Sequence, residues 1–227
     1  RLNQLHLAKR NNDLELNAQI KAMETAYRMQ FEAMHTFDIE KENATTREKY
    51  GRTPFANSCL LARRLTESGV RYVGVYYVNN GNQPWDTHKK HNEGHTKLCR
   101  DSDQATAALI SDLKERGLLE DTLVIWGGEF GRTPYAQQKN KKDVGRDHHN
   151  TAFSMMLAGG GVKGGITYGT SDELGMHAQK NRMHVHDLHA TILHLMGIDH
   201  EKLTFRWSGR DFRLTDVHGK IAHDIVA

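Results

Sequence analysis

Residues 123–134 read Leu-Val-Ile-Trp-Gly-Gly-Glu-Phe-Gly-Arg-Thr-Pro, a short apolar run that leads directly into a glycine-rich polar loop. Four consecutive apolar residues that end at a glycine pair predict a short buried β-strand. A strand that is apolar on both faces is typical of a parallel sheet covered by helices. The segment therefore predicts an α/β fold, with polar side chains gathered where the strand ends.

The same alternation of helix and strand continues on both sides of this segment. Helical spacing of apolar residues predicts helices over 54–67, 98–116 and 185–196, and apolar runs predict strands over 70–78, 123–126 and 153–158. Three such repeats predict a parallel sheet covered by helices. Residues 79–84 predict a turn, and residues 139–142 a charged, exposed loop.

The first 50 residues differ from the rest of the chain. Residues 5–49 lack glycine and proline and are rich in helix formers, which predicts one long helix or two shorter ones. We therefore expect a helical N-terminal segment over 1–50 and an α/β domain over 51–227.

Composition narrows the functional classes. Of 227 residues, 37% are hydrophobic, which is enough for a core, and the 31 basic and 28 acidic residues are interspersed, which gives no support to nucleic-acid binding. No stretch has the roughly 18 apolar residues of a membrane span. The opening residues lack the pattern of a signal peptide, so we expect none within this sequence. The chain starts without methionine, so we expect a fragment or a mature form. The 15 histidines hint at metal binding.

The first polar cluster, Asp86-Thr87-His88, follows the predicted strand at 70–78. In open α/β sheets, ligands bind beyond the carboxyl ends of the strands. A carboxylate and an imidazole two residues apart in an extended loop point to the same side and can bind one divalent cation. His91 and His95 are weaker candidates. The alternative is a solvated, histidine-rich loop in which Asp86 caps the following helix.

The second cluster lies in the loop that follows the strand at 123–126. Its glycines allow a sharp turn and a close approach to a ligand, while Glu129 offers an oxygen ligand and Arg132 an anion clamp. The alternative is a simple salt bridge between Glu129 and Arg132.

The third cluster, residues 145–150, reads Gly-Arg-Asp-His-His-Asn. Neighbouring residues of a strand point to opposite faces, so at most one of His148 and His149 should meet the same metal ion as Asp86. Asp147 is suitably placed to orient an imidazole through its second nitrogen.

Six motifs follow one another along the chain: WDTH (85–88), GGEFGRTP (127–134), GRDHHN (145–150), LAGGGVKGG (157–165), VHDLHATILHLMGID (185–199) and FRLTDVHG (212–219). Their order and spacing resemble the family known as domain of unknown function 1501. That family is similar to the alkaline phosphatase superfamily of phosphatases, sulfatases and phosphomutases. The resemblance implies a parallel-sheet core with two divalent metal sites, of which this chain would be the C-terminal portion.

The resemblance also implies roles for single residues. Asp86 and His88 would bind one metal ion, completed by His148 or His149, and Glu129 would serve the other. Phe130 departs from the pattern, because it stands where a second-site histidine is expected, so one or two ions of zinc, calcium or manganese are compatible with the sequence. Arg132 and Arg146 would clamp the anionic substrate as catalytic residues.

The resemblance implies a metal-dependent hydrolase of phosphate or sulfate esters, with an anionic ester or a sulfated or phosphorylated glycan as substrate. The superfamily's first strand, which bears the nucleophile, has no counterpart here, so we expect this fragment to be inactive by itself. The alternative is a degenerate member that binds a metal or a glycan without turnover, and a third reading is a structural protein with incidental histidines. The resemblance also implies a periplasmic or secreted location; oligomeric state is not predicted.

Overall fold

The computed structural model describes residues 2–10, 13–32, 34–78, 83–137 and 143–227. The chain divides into two compact units, Arg1–Val75 and Tyr76–Ala227. The boundary expected between residues 50 and 51 falls inside the first unit. The charged loop predicted at 139–142 lies outside the described residues, as do the first four positions of the turn predicted at 79–84.

The first unit is helical, as the sequence predicts. Its α-helices are α1 (Leu2–Lys9), α2 (Leu14–Glu32), α3 (Met34–Phe37), α4 (Ala44–Tyr50) and α5 (Pro54–Glu67). The predicted bounds of α5 are confirmed. Thr53 caps its N-terminus by accepting a hydrogen bond from the Ala56 amide, and Pro54 occupies the first turn. Tyr50 and Leu60 are buried in this unit, and the buried Arg63 guanidinium forms an ion pair with Glu42 at 2.7 Å.

The second unit contains the helices α6 (His91–Glu115) and α7 (Val185–Leu195). Helix α6 buries Leu98, Ala105 and Leu113 on one side, and it is followed by Gly117 with a φ of 69°, the left-handed conformation that favours glycine beyond a helix end. Helix α6 begins earlier than the predicted residue 98, and α7 agrees with the prediction to within one residue.

Eight short strands are described in the second unit, and they pair antiparallel in four two-stranded sheets. The pairs are β1 (Val124–Trp126) with β4 (Met156–Ala158), β2 (Gly131–Arg132) with β3 (His148–His149), β5 (Thr170–Ser171) with β6 (Ala178–Lys180), and β7 (Thr204–Trp207) with β8 (Arg210–Arg213).

The pairing corrects the expectation of a parallel sheet. Strands β1 and β4 form where the apolar runs predict them, but Ile125 is opposite Leu157 in an antiparallel ladder. A parallel pair needs a crossover, usually a helix, whereas the described residues between β1 and β4 form the β2–β3 hairpin. Ile125 and Trp126 are 38% and 39% exposed, so β1 is not buried on both faces. Among the described residues, the architecture is therefore mixed helix and strand with small antiparallel sheets.

The strand predicted over 70–78 is also corrected, because the structure assigns no sheet pairing to this segment. Its side chains alternate in exposure from Tyr72 to Val78, and Tyr72 and Tyr76 are 82% and 77% exposed. The β-branched and aromatic residues thus show the alternating side-chain exposure of a strand, but no partner strand is described for them.

No helix among the described residues has both the length and the apolar character needed to cross a membrane.

Candidate metal centre

The hairpin formed by β2 and β3 sets the direction of the key side chains. Arg132 is opposite His148 in its ladder, and Gly131 is opposite His149. Residues directly opposite each other in an antiparallel pair project to the same face, and successive residues project to opposite faces. Arg132 and His148 therefore share one face of the hairpin, and His149 lies on the other.

The loop that contains Asp86 and His88 is held against the segment that leads into β3. The Arg146 amide donates a hydrogen bond to the Thr87 carbonyl at 3.2 Å, and the His91 amide donates to the Val144 carbonyl at 2.8 Å. Gly145 is buried against the His88 main chain, where a β-carbon would lie 1.9 Å from the His88 carbonyl oxygen. Only glycine allows such a close approach of two backbones without a shift.

These two segments bring Asp86, His88 and His148 together. Nε2 of His148 lies 2.9 Å from Asp86 Oδ1, and Nε2 of His88 lies 3.0 Å from the same oxygen. The candidate ligand atoms of the three residues all lie within 4.8 Å of one another. Within the described parts of the chain, this is the one group of three or more histidine, cysteine or acidic side chains arranged in this way.

Arg132 completes the cluster as a fixed positive charge. Its Nη1 atom lies 2.8 Å from Asp86 Oδ1, and its side chain is largely buried. The hydrogen bond from His148 and the neighbouring Arg132 guanidinium together lower the pKa of Asp86 to about 2. Asp86 is therefore a carboxylate at neutral pH, the form in which it can bind a cation.

Phe130 covers one side of the cluster. Its ring centroid lies 4.4 Å from that of His148, with an angle of 38° between the ring planes. Glu129, which the sequence suggested as a further ligand, is exposed, and its carboxylate forms no hydrogen bond or ion pair with the described residues. The structure therefore does not bring Glu129 to Asp86, and the suggested salt bridge between Glu129 and Arg132 is not formed.

The remaining sequence candidates surround the cluster or face away from it. His149 is buried, and its Nε2 lies 3.1 Å from the Gly175 carbonyl oxygen. Arg146 donates a hydrogen bond to the Thr133 carbonyl at 2.5 Å, so its guanidinium supports the β2–β3 connection. Asp147 Oδ1 accepts the His148 amide at 2.8 Å and lies 3.9 Å from His88 Nδ1.

His91 and His95 lie behind the loop and support it. His91 Nδ1 lies 2.7 Å from Thr87 Oγ1, His95 Nε2 lies 3.2 Å from the Trp85 carbonyl oxygen, and the two imidazole centroids are 3.9 Å apart. Burial, then the neighbouring His95, Arg146 and Arg132, lower the pKa of His91 to about 4. Burial lowers the pKa of His95 as well. At neutral pH, these two imidazoles are therefore neutral supports of the loop.

Gln137 is a member of the site that the sequence analysis missed. Its side-chain Oε1 atom lies 2.6 Å from Nδ1 of His88, and its main-chain N–H donates a hydrogen bond to the Gly145 carbonyl at 2.9 Å. No local motif marks Gln137, since its role depends on the pairing of 137 with 145 that extends the β2–β3 hairpin.

The donor set is consistent with one transition-metal ion. Two imidazoles and one carboxylate are common ligands of zinc, and three protein ligands leave a fourth position for water or substrate. Calcium takes six to eight oxygen ligands, so a set with two imidazoles disfavours it. Asp86, His88 and His148 would hold the ion, and Arg132 would lie beside it.

A family model described as "Protein of unknown function (DUF1501)" matches residues 1–226 of the chain. No curated protein and no solved structure matches it.

Proposed function

The chain belongs to the DUF1501 family, and from this premise we propose that it forms the metal centre of a hydrolase of phosphate or sulfate esters. We further propose that the family is a branch of the alkaline phosphatase and sulfatase superfamily, as its motifs suggest. The ion would be a divalent transition metal, with zinc preferred over manganese and calcium on the basis of the two imidazoles.

One observation carries the proposal: Asp86, His88, His148 and Arg132 converge although they come from three separate segments of the chain. Isolated Asp–His pairs are common on protein surfaces, whereas a carboxylate shared by two imidazoles and a guanidinium is a specific arrangement. The carboxylate and imidazoles provide ligands for a cation, and the guanidinium provides a planar donor for an anion. A site with both properties is suited to a phosphate or sulfate group.

A bound divalent ion would act as a Lewis acid on the ester and would lower the pKa of a coordinated water or hydroxyl group. Arg132 would bind the phosphoryl or sulfuryl oxygens and offset the charge that develops on them. Asp86 would lower the net positive charge of the ion and Arg132 together. Phe130 would exclude water from the side of the cluster where His148 lies. The cluster contains no Ser, Thr or Cys, so the attacking group would be water or a hydroxyl group from elsewhere.

A second candidate function is binding without turnover, and Phe130 favours it. In the superfamily, a histidine for a second metal ion is expected where Phe130 stands. Phe130 instead packs on His148, which would limit the site to one ion. Such a site would bind a sulfated or phosphorylated glycan through the metal and Arg132 without cleaving it.

We propose a periplasmic or secreted location for the protein, as the resemblance of its motifs implies. Cell fractionation of the native host, followed by immunodetection, tests this. Detection in the cytosolic fraction alone would contradict it.

The primary experiment measures metal content by mass spectrometry after incubation with zinc, manganese or calcium and gel filtration. We expect about one zinc ion per chain, and its loss in Asp86→Ala and in His148→Ala. His189→Ala is the matched control, because His189 is an exposed histidine of α7 outside the cluster. A wild-type chain that retains no metal would refute the metal centre. Because we expect this chain to be inactive by itself, hydrolysis of phosphate and sulfate esters is then measured with the full-length protein, which separates turnover from binding alone.

A further inference from the structure

Strands β7 and β8 form a hairpin with a tightly turned tip. Ser208 and Gly209 form the two-residue loop between the strands, and both have positive φ angles, of 47° and 80°. Positive φ at both loop positions is characteristic of the turn whose twist matches that of the strands it joins. Trp207 and Arg210, the last pair of the ladder, are therefore held opposite each other by the backbone.

One face of this hairpin carries three aromatic rings and one guanidinium. Phe205 is opposite Phe212 in the ladder, and Trp207 is opposite Arg210. Opposite residues of an antiparallel pair project to the same face, and so do residues two apart along a strand, so all four share this face. The Phe205 and Phe212 rings are stacked with centroids 5.8 Å apart, and the Arg210 guanidinium lies 4.6 Å from the Phe212 centroid. Stacking on Phe212 thus restrains the guanidinium.

Both members of the last pair are available to a ligand. Trp207 is 69% exposed, and its ring contacts no other aromatic ring of the described residues. Arg210 is exposed and forms no ion pair within the described parts of the chain. The other two arginines of the hairpin each have a carboxylate partner: Arg206 pairs with Asp211 at 3.4 Å, and Arg213 with Glu201 at 3.2 Å. The hairpin therefore offers an exposed indole beside a guanidinium whose charge is not offset.

We propose that this face of the β7–β8 hairpin binds an anionic polysaccharide, at a site that shares no residue with the metal centre and does not depend on it. An indole packs against the apolar face of a sugar ring, and a guanidinium donates parallel hydrogen bonds to a sulfate, phosphate or carboxylate group. Side chains of a cross-strand pair are about 5 Å apart, comparable to the width of a sugar ring. A ring stacked on Trp207 thus brings its anionic substituent to Arg210.

The charge of this face favours a polysaccharide over a nucleic acid or an anionic membrane. Single-stranded nucleic acid has a phosphate at every nucleotide and is held in a continuous basic groove. Anionic membranes attract clusters of several basic residues. Here, carboxylates offset Arg206 and Arg213, and Arg210 alone is left. A single guanidinium beside an indole suits a chain whose anionic groups are spaced apart by uncharged sugar faces.

The proposal can be tested by tryptophan fluorescence of the chain in EDTA, where no bound metal ion contributes. Trp207 is the most exposed of the three tryptophans, so acrylamide quenching reports whether a ligand covers it. Oligosaccharides of κ-carrageenan, which carry a sulfate on every second sugar, or of alginate, which carry carboxylates, should protect the indole. Neutral agarose oligosaccharides should bind at least about tenfold more weakly. Free sulfate should give no protection, because an exposed ion pair alone contributes little.

Variants of the last pair locate the site. Trp207→Ala and Arg210→Gln should each weaken binding of the anionic oligosaccharide about tenfold in isothermal titration. Urea unfolding should match the wild type in both, because the two side chains are exposed. Arg206→Gln is the matched control and should bind as the wild type does, because Arg206 projects to the opposite face and is paired with Asp211.

Several results would overturn this inference. They are absence of protection by both anionic oligosaccharides, equal binding of the neutral one, and wild-type affinity in either Trp207→Ala or Arg210→Gln. Tighter binding to phosphatidylglycerol vesicles or to oligothymidylate would also overturn it, in favour of a membrane or a nucleic acid. None of these outcomes bears on the metal centre, which stands or falls with the metal content of the chain.

Discussion

Gly145 and His88 lie in direct backbone contact, so close that a β-carbon on Gly145 would overlap the His88 carbonyl group. The contact joins two segments that are 57 residues apart in the sequence (145 minus 88). We expect this contact to fix the position of the His88 ring relative to Asp86, and mutation of Gly145 tests this.

Gly145→Ala should displace His88 and weaken zinc binding by about tenfold or more, because ligand geometry tolerates little displacement. Gly164→Ala is the matched control, since a β-carbon there would meet nothing within 4 Å. Isothermal titration with zinc measures the effect. Equal affinities for the two variants would show that the contact does not position His88.

The two adjacent histidines should respond differently to alanine. His148→Ala should abolish zinc retention with little loss of stability, because His148 is exposed and bonded to Asp86. His149→Ala should retain zinc but lower the free energy of unfolding by roughly 1–3 kcal/mol, the cost of a lost buried polar contact. Metal analysis and urea unfolding of both variants test this contrast, and zinc loss in His149→Ala alone would contradict the hairpin register.

Arg132→Met should separate cation binding from anion binding. Removal of the guanidinium beside Asp86 takes away a positive charge that competes with the metal, so zinc affinity in anion-free buffer should rise a few-fold. Affinity of the zinc-loaded chain for sulfate or phosphate should fall about tenfold or more. Arg210→Met, in the exposed β7–β8 hairpin, is the control. Unchanged anion affinity in Arg132→Met would remove the proposed role of Arg132.

Acidification should destabilise the chain through His91. The folded-state pKa of His91 is about 4, below its ordinary value of 6.5, so the unfolded chain binds more protons between these values. The contribution of neutral His91 to stability is complete above about pH 6.5 and is lost as the pH falls toward 4. His91→Gln should show a shallower fall in unfolding free energy across this window, measured by urea titration at several pH values. Parallel curves for the two proteins would contradict this.

The sequence predicted the helices well, because their signals are local. The Thr53 cap and Pro54 define the start of α5, and Gly117 follows α6. Strand pairing was predicted less well: the apolar run of β1 indicates a strand but carries no information about the direction of its partner. The expectation of a parallel sheet rested on burial of both faces, and Trp126 is exposed on one of them.

The candidate site was predicted in part for the same reason. Asp86 and His88 are two residues apart, so local geometry suffices to place them together. The rule of alternation also anticipated that only one of His148 and His149 would face Asp86. Gln137 and the role of Gly145 could not be anticipated, since both follow from the hairpin pairing of 137 with 145.

The contact between Asp86 and His148 spans 62 residues of sequence, and α6 lies within that span. An ion held by both residues would tie the two ends of this loop together, and so would restrict the unfolded chain as a covalent cross-link does. Unlike a disulfide bond, this metal cross-link could be removed with a chelator. Supply or removal of the metal would then govern how easily α6 separates from the hairpin, and hence the susceptibility of this region to proteases.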